Sequence, residues 1–275
     1  VSELHFVKGH GTENDFIIIP DANGVIDLSD SRVRALCDRR AGLGADGVIR
    51  VVRTDACDDP AAVAARDEAL WFMDYRNADG SLSQMCGNGV RVMALYLATH
   101  ADVDLRNQLL IATRGGIKRI DFDGANITVD MGEPVVKGES NVGVGAKSWS
   151  SRHVDMGNPH AVAFVESLED AGDLREAPQY DESVYPEGVN IEFVTRVGDH
   201  HVAMRVHERG VGETRSCGTG ACAAGVVAAL VDGAERGETY VVDVPGGVLE
   251  VTWTAEDRVL LSGPAVLVAE GTVDL

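Results

Sequence analysis

The sequence predicts an α+β protein of two pseudo-symmetric domains, each a curved, mainly antiparallel sheet around one central helix. Three observations carry this. The chain matches itself at an offset of 131 residues, where Cys86-Gly87-Asn88-Gly89 falls on Cys217-Gly218-Thr219-Gly220, Gly115-Gly116 on Gly246-Gly247, and Gly132 on Gly263. One such match is noise in a chain with 31 glycines, but three in order at one offset indicate a duplicated architecture. Each cysteine is followed by an apolar run suited to a buried helix, residues 90–98 and 221–230. Each Gly-Gly pair introduces short alternating segments separated by turn residues, which read as antiparallel hairpins.

In chain order, residues 16–19, 47–52 and 70–75 are strand candidates. Residues 55–68 are acidic, proline-containing and alanine-rich, a solvated excursion with one or two helical turns and no assigned chemistry. The first helix follows Cys86, and residues 117–122 and 127–131 form a hairpin around Asp123-Gly124. Residues 133–150 read as the crossing between halves. The second helix follows Cys217, residues 248–253 and 258–261 form the second hairpin, and residues 265–269 supply a last strand that periodicity does not assign to either half. The expected domains are residues 1–133, contributing Cys86, and residues 134–263, contributing Cys217, with the terminal strand 264–275 a candidate addition to the first and its half left open.

The 275 residues suffice for two domains of about 130 residues each. With 45% hydrophobic and 25% charged residues, the composition is that of a soluble folded protein. The formal charge of −20 argues against nucleic acid or an anionic membrane as partner. The opening Val1-Ser2-Glu3-Leu4-His5-Phe6 has no basic leader and apolar run, so a cytoplasmic protein without a membrane segment is expected. Cysteines at 37, 57, 86, 217 and 222 are odd in number and scattered, unlike a disulfide framework, and no C-x-x-C pair suggests a metal.

Cys86 and Cys217 carry the functional reading. A thiol at a helix N-terminus lies against free N–H groups and the positive end of the dipole, which is expected to lower its pKa and make it a usable base. Two copies facing one ligand would suit inversion at a carbon bearing a proton, one thiol removing it and the other delivering a second from the opposite face. The weakly acidic α-carbon of an amino acid needs donors for its carboxylate, which the two helix starts can supply. The plainer alternative is that both cysteines are small buried hydrophobes. Asn14, Asn77, Asn158, His160, Glu208 and Arg209 sit in turn-rich segments and suit the charges of a zwitterion.

The segments Gly11 to Phe16, Asn77-Ala78-Asp79-Gly80-Ser81, Met85 to Arg91, Met156-Gly157-Asn158-Pro159-His160, Gly188-Val189-Asn190, Glu208-Arg209-Gly210 and Cys217 to Cys222 resemble the diaminopimelate epimerase family, in the family's order and across essentially the whole chain. The resemblance implies that family's fold and a cofactor-independent, usually homodimeric enzyme of lysine and peptidoglycan precursor synthesis. It would interconvert LL- and meso-diaminopimelate. Cys86 and Cys217 would be the two bases, His160 and Glu208 their polar helpers, and Asn14, Asn77, Asn158, Asn190 and Arg209 substrate ligands. Backbone groups of Gly87, Asn88, Gly218 and Thr219 would hold the reacting carboxylate.

Two departures stand out. Thr12-Glu13 replace a usual Leu-Gly, adding a charge near the presumed ligand, and Gly47 follows Gly42-Leu43-Gly44-Ala45-Asp46 where many relatives carry Gln. Cys222 lies one helical turn inside and reads as packing. The alternatives are a proline or hydroxyproline racemase or epimerase, and a non-catalytic amino-acid-binding protein. Pyridoxal phosphate is not expected, and if the two thiols come within reach of one another, mild oxidation would join them.

Overall fold

A mixed polar and apolar extended run forms β1 (Glu3–Gly11) and a mainly apolar one β2 (Asn14–Pro20), followed by helix α1 (Asp30–Cys37), which is capped by Ser29 accepting the Arg32 N–H. Strand β3 (Gly47–Arg53) leads through the expected excursion, whose helical part is α2 (Pro60–Ala64), with Asp59 as cap and proline at its start. Then come β4 (Trp71–Asn77), helix α3 (Gly87–His100), and β5 (Leu109–Thr113), β6 (Gly116–Asp123) and β7 (Asn126–Gly132).

The later part contains β8 (Val135–Val144), β9 (Lys147–Asp155), β10 (Pro159–Phe164), β11 (Gln179–Tyr180), β12 (Asn190–Gly198), β13 (His201–Glu208) and β14 (Gly212–Thr214). Helix α4 (Gly218–Asp232), β15 (Thr239–Val244), β16 (Gly247–Trp253), β17 (Val259–Pro264) and β18 (Val266–Asp274) complete it. This computed structural model describes residues 3–101, 103–104 and 106–274. Val1 and Ser2 of the opening segment and Leu275 of the terminal one lie outside the described residues. The chain divides into two units, residues 1–129 with 264–275, and residues 130–263.

One pairing scheme builds both units. In the first, β18–β1 and β1–β2 are antiparallel, β2–β3 parallel, β3–β4 antiparallel, β4–β5 parallel, and β5–β6 and β6–β7 antiparallel. In the second, β8–β9 and β9–β10 are antiparallel, β10–β12 parallel, β12–β13 antiparallel, β13–β15 parallel, and β15–β16 and β16–β17 antiparallel. The duplication is therefore wider than its sequence trace. The 131-residue offset relates β4 to β13, α3 to α4 and the strands after them, whereas β1, β2 and β3 correspond to β9, β10 and β12 only through their pairing.

The segment at 133–150 is not a crossing. It contributes β8 and the start of β9, an antiparallel hairpin of the second unit. Gly145, at φ 59°, supplies the left-handed turn between them. Ser140 and Ser151 are buried inside the hairpin, joined hydroxyl to hydroxyl at 2.9 Å. Short polar side chains satisfied in this way give no apolar alternation, which hides the strand from a sequence reading.

Each central helix is buried almost all round. Helix α3 packs against β1, β2, β3 and β18, and α4 against β9, β10, β12, β13, β15 and β16. The Ala/Gly composition of α4 permits close approach: a methyl group added at Gly225 would stand 2.7 Å from Val251 Cγ1 on β16. Gly233 ends α4 in the left-handed conformation, φ 63° and ψ 30°.

Candidate active site

Both cysteines occupy the position the sequence assigns them. Cys86 is the extended N-cap of α3 and Cys217 that of α4, with φ/ψ of −141°/119° and −122°/113°. The first-turn N–H groups at each helix start have no intrahelical acceptors.

In the first unit, Asn14 at the start of β2 organises the surroundings of Cys86. Its Oδ1 accepts the Cys86 thiol at 3.5 Å and the Asn88 amide at 3.1 Å. Its Nδ2 donates to Asp46 Oδ2 at 2.7 Å. Asn88 is fully buried and receives Arg91 Nη2 on Oδ1 at 2.9 Å, which fixes its amide in turn. Asn77 closes β4 opposite Gly47, bonded to Ser81 Oγ at 3.0 Å. The sequence-selected Asn14, Cys86, Gly87 and Asn88 thus form one cluster, with Asn77 at the neighbouring strand end.

In the second unit, Cys217 Sγ accepts the Gly220 N–H at 3.4 Å and lies 3.5 Å from Thr219 Oγ1. His160, wholly buried on β10, places Nε2 3.0 Å from Asn158 Oδ1 and Nδ1 2.6 Å from Glu192 Oε1. Asn190 opens β12 opposite His160, donates to the Pro159 carbonyl at 3.1 Å and accepts the Arg209 N–H at 3.0 Å. The exposed Arg209 side chain donates to the Glu187 carbonyl. Glu208 ends β13 and accepts the Thr214 hydroxyl. Asn158, His160, Asn190, Arg209, Cys217, Gly218 and Thr219 are thereby gathered around the start of α4 and the adjoining strand ends.

The expectation that a helix N-terminus lowers the thiol pKa fails at Cys217. Burial pushes this thiol well above the ordinary range, the Glu208 and Glu192 carboxylates push it further, and hydrogen bonds from Thr219 and Gly220 do not reverse them. A thiolate there would be both desolvated and repelled by like charge. These surroundings favour the protonated thiol at Cys217.

Both departures acquire a structural account. A methyl group at Gly47 would stand 2.6 Å from both Tyr75 Cε2 and the Arg76 carbonyl oxygen, so the Tyr75 ring fills the room a side chain at 47 would need. Thr12 and Glu13 form the turn between β1 and β2, both left-handed at φ 49° and 62°. The Glu13 side chain is exposed. Cys222 is fully buried in α4.

Two residues belong to these clusters that the sequence reading did not select. Asp46 lies in a glycine-rich segment with no signal of its own, and its contact with Asn14 forms once β2 and β3 pair. Glu192 carries a clearer signal, an acidic residue inside the apolar run Ile191-Glu192-Phe193-Val194. An ionisable group in such a strand needs a buried partner, and His160 is that partner.

Two units built on one strand scheme, each with a cysteine capping its central helix, place the protein in a fold class shared with solved structures of low sequence identity. These include a PhzF-family phenazine biosynthesis protein from Bacillus anthracis (TM-score 0.71, 16% identity, 100% of both chains). A hydroxyproline epimerase from Agrobacterium vitis is also similar (TM-score 0.67, 13% identity, 98% of this chain and 92% of that one). The chain belongs to the diaminopimelate epimerase family, whose profile matches residues 6–137 and 152–268. It is 52% identical to the diaminopimelate epimerase of Streptomyces coelicolor over 99% of this chain and 96% of that one. The Rhodococcus jostii diaminopimelate epimerase is 47% identical over 98% and 97%. The α+β class expected from the sequence is the class observed.

Proposed function

We propose that this chain is a cofactor-independent epimerase that inverts one α-carbon of LL-diaminopimelate to give the meso isomer, in the supply of lysine and peptidoglycan precursors. The observation that carries the reading is identity of about half over nearly the full length of curated diaminopimelate epimerases. The two capping cysteines support it. Among the described residues no helix is long and apolar enough to cross a membrane. A cytoplasmic homodimer acting on this small molecule, with no nucleic acid or membrane partner, belongs to the same proposal.

In this reading Cys86 and Cys217 are the two catalytic groups. With LL substrate, the Cys86 thiolate takes the α-proton and the electron pair of the broken C–H bond passes into the carboxylate as enediolate character. First-turn N–H groups of Gly87, Asn88, Gly218 and Thr219 stabilise that charge. The Cys217 thiol gives its proton to the opposite face, leaving a thiol at 86 and a thiolate at 217, the state that runs the reverse reaction. The raised thiol of Cys217 supports this assignment of the acid. His160 and Glu208 assist proton transfer, while Asn14, Asn77, Asn158, Asn190 and Arg209 bind the zwitterionic ends.

The test is incubation of reduced enzyme with LL-diaminopimelate in deuterium oxide, resolving stereoisomers and α-deuterium by chiral chromatography and mass spectrometry. Meso product carrying deuterium at the inverted carbon, absent with Cys86→Ala and with Cys217→Ala, is the expected result. Folded wild-type enzyme that neither inverts nor exchanges diaminopimelate would overturn the reading and direct the assay to proline and hydroxyproline.

A further inference from the structure

The buried pair His160–Glu192 has an internal control in the same chain. Strand β10 lies parallel to β12 with His160 opposite Asn190 and Val162 opposite Glu192. Strand β2 lies parallel to β3 with Phe16 opposite Gly47 and Ile18 opposite Ile49. The shared pairing scheme therefore sets His160 where the first unit has Phe16, and Glu192 where it has Ile49. The helices repeat the equivalence. A methyl group added at Gly89 of α3 would meet Met73, Ile49 and Phe16, whereas one at the matching Gly220 of α4 would meet Glu192 Oε1 at 2.7 Å.

All four side chains are completely buried. The first unit shows that two apolar side chains satisfy the fold beneath the first turn of its helix. In the second unit the same places hold an acid and a base. Desolvating such a pair is unfavourable, and well-packed apolar residues commonly replace one without loss of stability, so packing gives no reason for it here.

The hydrogen bonding gives one. Glu192 Oε1 lies 2.6 Å from His160 Nδ1, while its Oε2 is buried and without a hydrogen-bond partner among the described residues. His160 Nε2 reaches Asn158 Oδ1 at 3.0 Å. The ring thus spans from a buried carboxylate to one of the asparagines read as a substrate ligand. We propose that Glu192 is a positioning residue for the reaction: it holds a proton on His160 Nδ1 and fixes the ring so that Nε2 is presented to Asn158 and the substrate. A carboxylate behind an imidazole selects its tautomer and orientation, and without it the ring is free to turn or to move its proton to the other nitrogen. This rests on the epimerase reading above, in which His160 and Asn158 serve the substrate.

The experiment compares wild type, Glu192→Gln, Glu192→Asp and the paired swap His160→Phe with Glu192→Ile, which reproduces the first unit's apolar pair. Steady-state kinetics with LL-diaminopimelate, melting temperature and the ¹⁵N signals of the His160 ring, assigned with His160→Asn, are read for each. Glu192→Gln is expected to lower kcat by about 10- to 100-fold with KM within about threefold, by analogy with the loss of the carboxylate partner behind a metal-bound imidazole. Glu192→Asp should restore part of that loss. The ring of wild type should carry a protonated Nδ1, and that of Glu192→Gln should lose this signature. The paired swap should keep its melting temperature while losing turnover. Wild-type kcat with unchanged ring signals in Glu192→Gln would overturn the proposal, as would a paired swap that fails by losing its fold. Wild type inactive on diaminopimelate would instead remove the epimerase reading, and the ring signals would still decide the part played by Glu192.

Discussion

Asp46 accepts the side-chain amide of Asn14 at 2.7 Å, and that bond turns the Asn14 carbonyl oxygen toward the Cys86 thiol. Asp46 is itself held by Arg39 Nη2 at 2.7 Å, so a chain of charge and hydrogen bonds sets the direction of an amide beside the cysteine. Replacing Asp46 by Ala leaves the Asn14 amide held only from the Asn88 side. A hydrogen bond to a charged group contributes roughly 1.5–3 kcal/mol, so kcat/KM should fall by about 10- to 100-fold. Steady-state kinetics with diaminopimelate check this, with Asp46→Asn retaining more activity than Asp46→Ala.

Alkylation tests the state of Cys217. Only the thiolate reacts appreciably, and burial together with Glu208 and Glu192 holds this group as the thiol. Iodoacetamide at neutral pH should label Cys217 at least about tenfold more slowly than a free cysteine, whose pKa is about 8.5. Peptide mass spectrometry over a time course gives the rate, and labelling as fast as the free amino acid would contradict the assignment.

The first unit carries a charged core whose contribution depends on pH. Asp74 is 1% exposed, and three arginines converge on it, with Arg50 Nε at 2.9 Å and Arg114 and Arg76 beside its other oxygen. Burial raises its pKa, but the Arg114 hydrogen bond and the surrounding guanidinium charges outweigh that and leave the carboxyl below its usual value. Asp15 behaves alike, with burial opposed by Arg39 and Lys8 and a net fall to about 2. A depressed carboxyl stabilises the fold above its unfolded pKa and loses that contribution as pH falls through the folded one. Chemical denaturation should show stability decreasing from about pH 3.8 toward pH 2. Asp74→Ala, which leaves the partly buried Arg50, Arg76 and Arg114 with only Asp21, Asp30 and Asp59 as ion-pair partners, should destabilise at neutral pH by about 1–3 kcal/mol.

Helix α4 and β16 meet through a glycine. A methyl group at Gly225 would lie 2.7 Å from Val251 Cγ1 and 2.8 Å from Val251 Cβ. Gly225→Ala should therefore destabilise by about 1–3 kcal/mol despite the better helix propensity of alanine. Val251→Ala in the same protein removes the obstructing methyls, and a double-mutant cycle in urea should recover part of the loss.

What was legible in the sequence was what depends on neighbours along the chain. The two cysteines, the glycines that follow them and the apolar runs beyond declare two buried helices with capping thiols. The Gly-Gly pairs declare the hairpins after them. The serine-rich hairpin at 133–150 was misread because Ser140 and Ser151 satisfy one another inside it, and such a pair has no signature in either strand alone. The candidate site residues were picked out by type and motif, but the partners that orient them were not.

Those partners are supplied by strand pairing. Glu192 stands 32 residues from His160, as Asp46 does from Asn14, and in each case two parallel strands bring the members together. Parallel neighbours need long connections, so their contacts leave no short-range spacing to read. The thiol chemistry followed the same division. By itself the sequence determined that each cysteine would begin a helix, because helix starts are written locally in caps and glycines. Only the tertiary structure decided that the Cys217 thiol is pushed up, because its burial and its closeness to the carboxylates of Glu192 and Glu208 depend on how the strands pack about α4, and in a low-dielectric interior they outweigh the helix end.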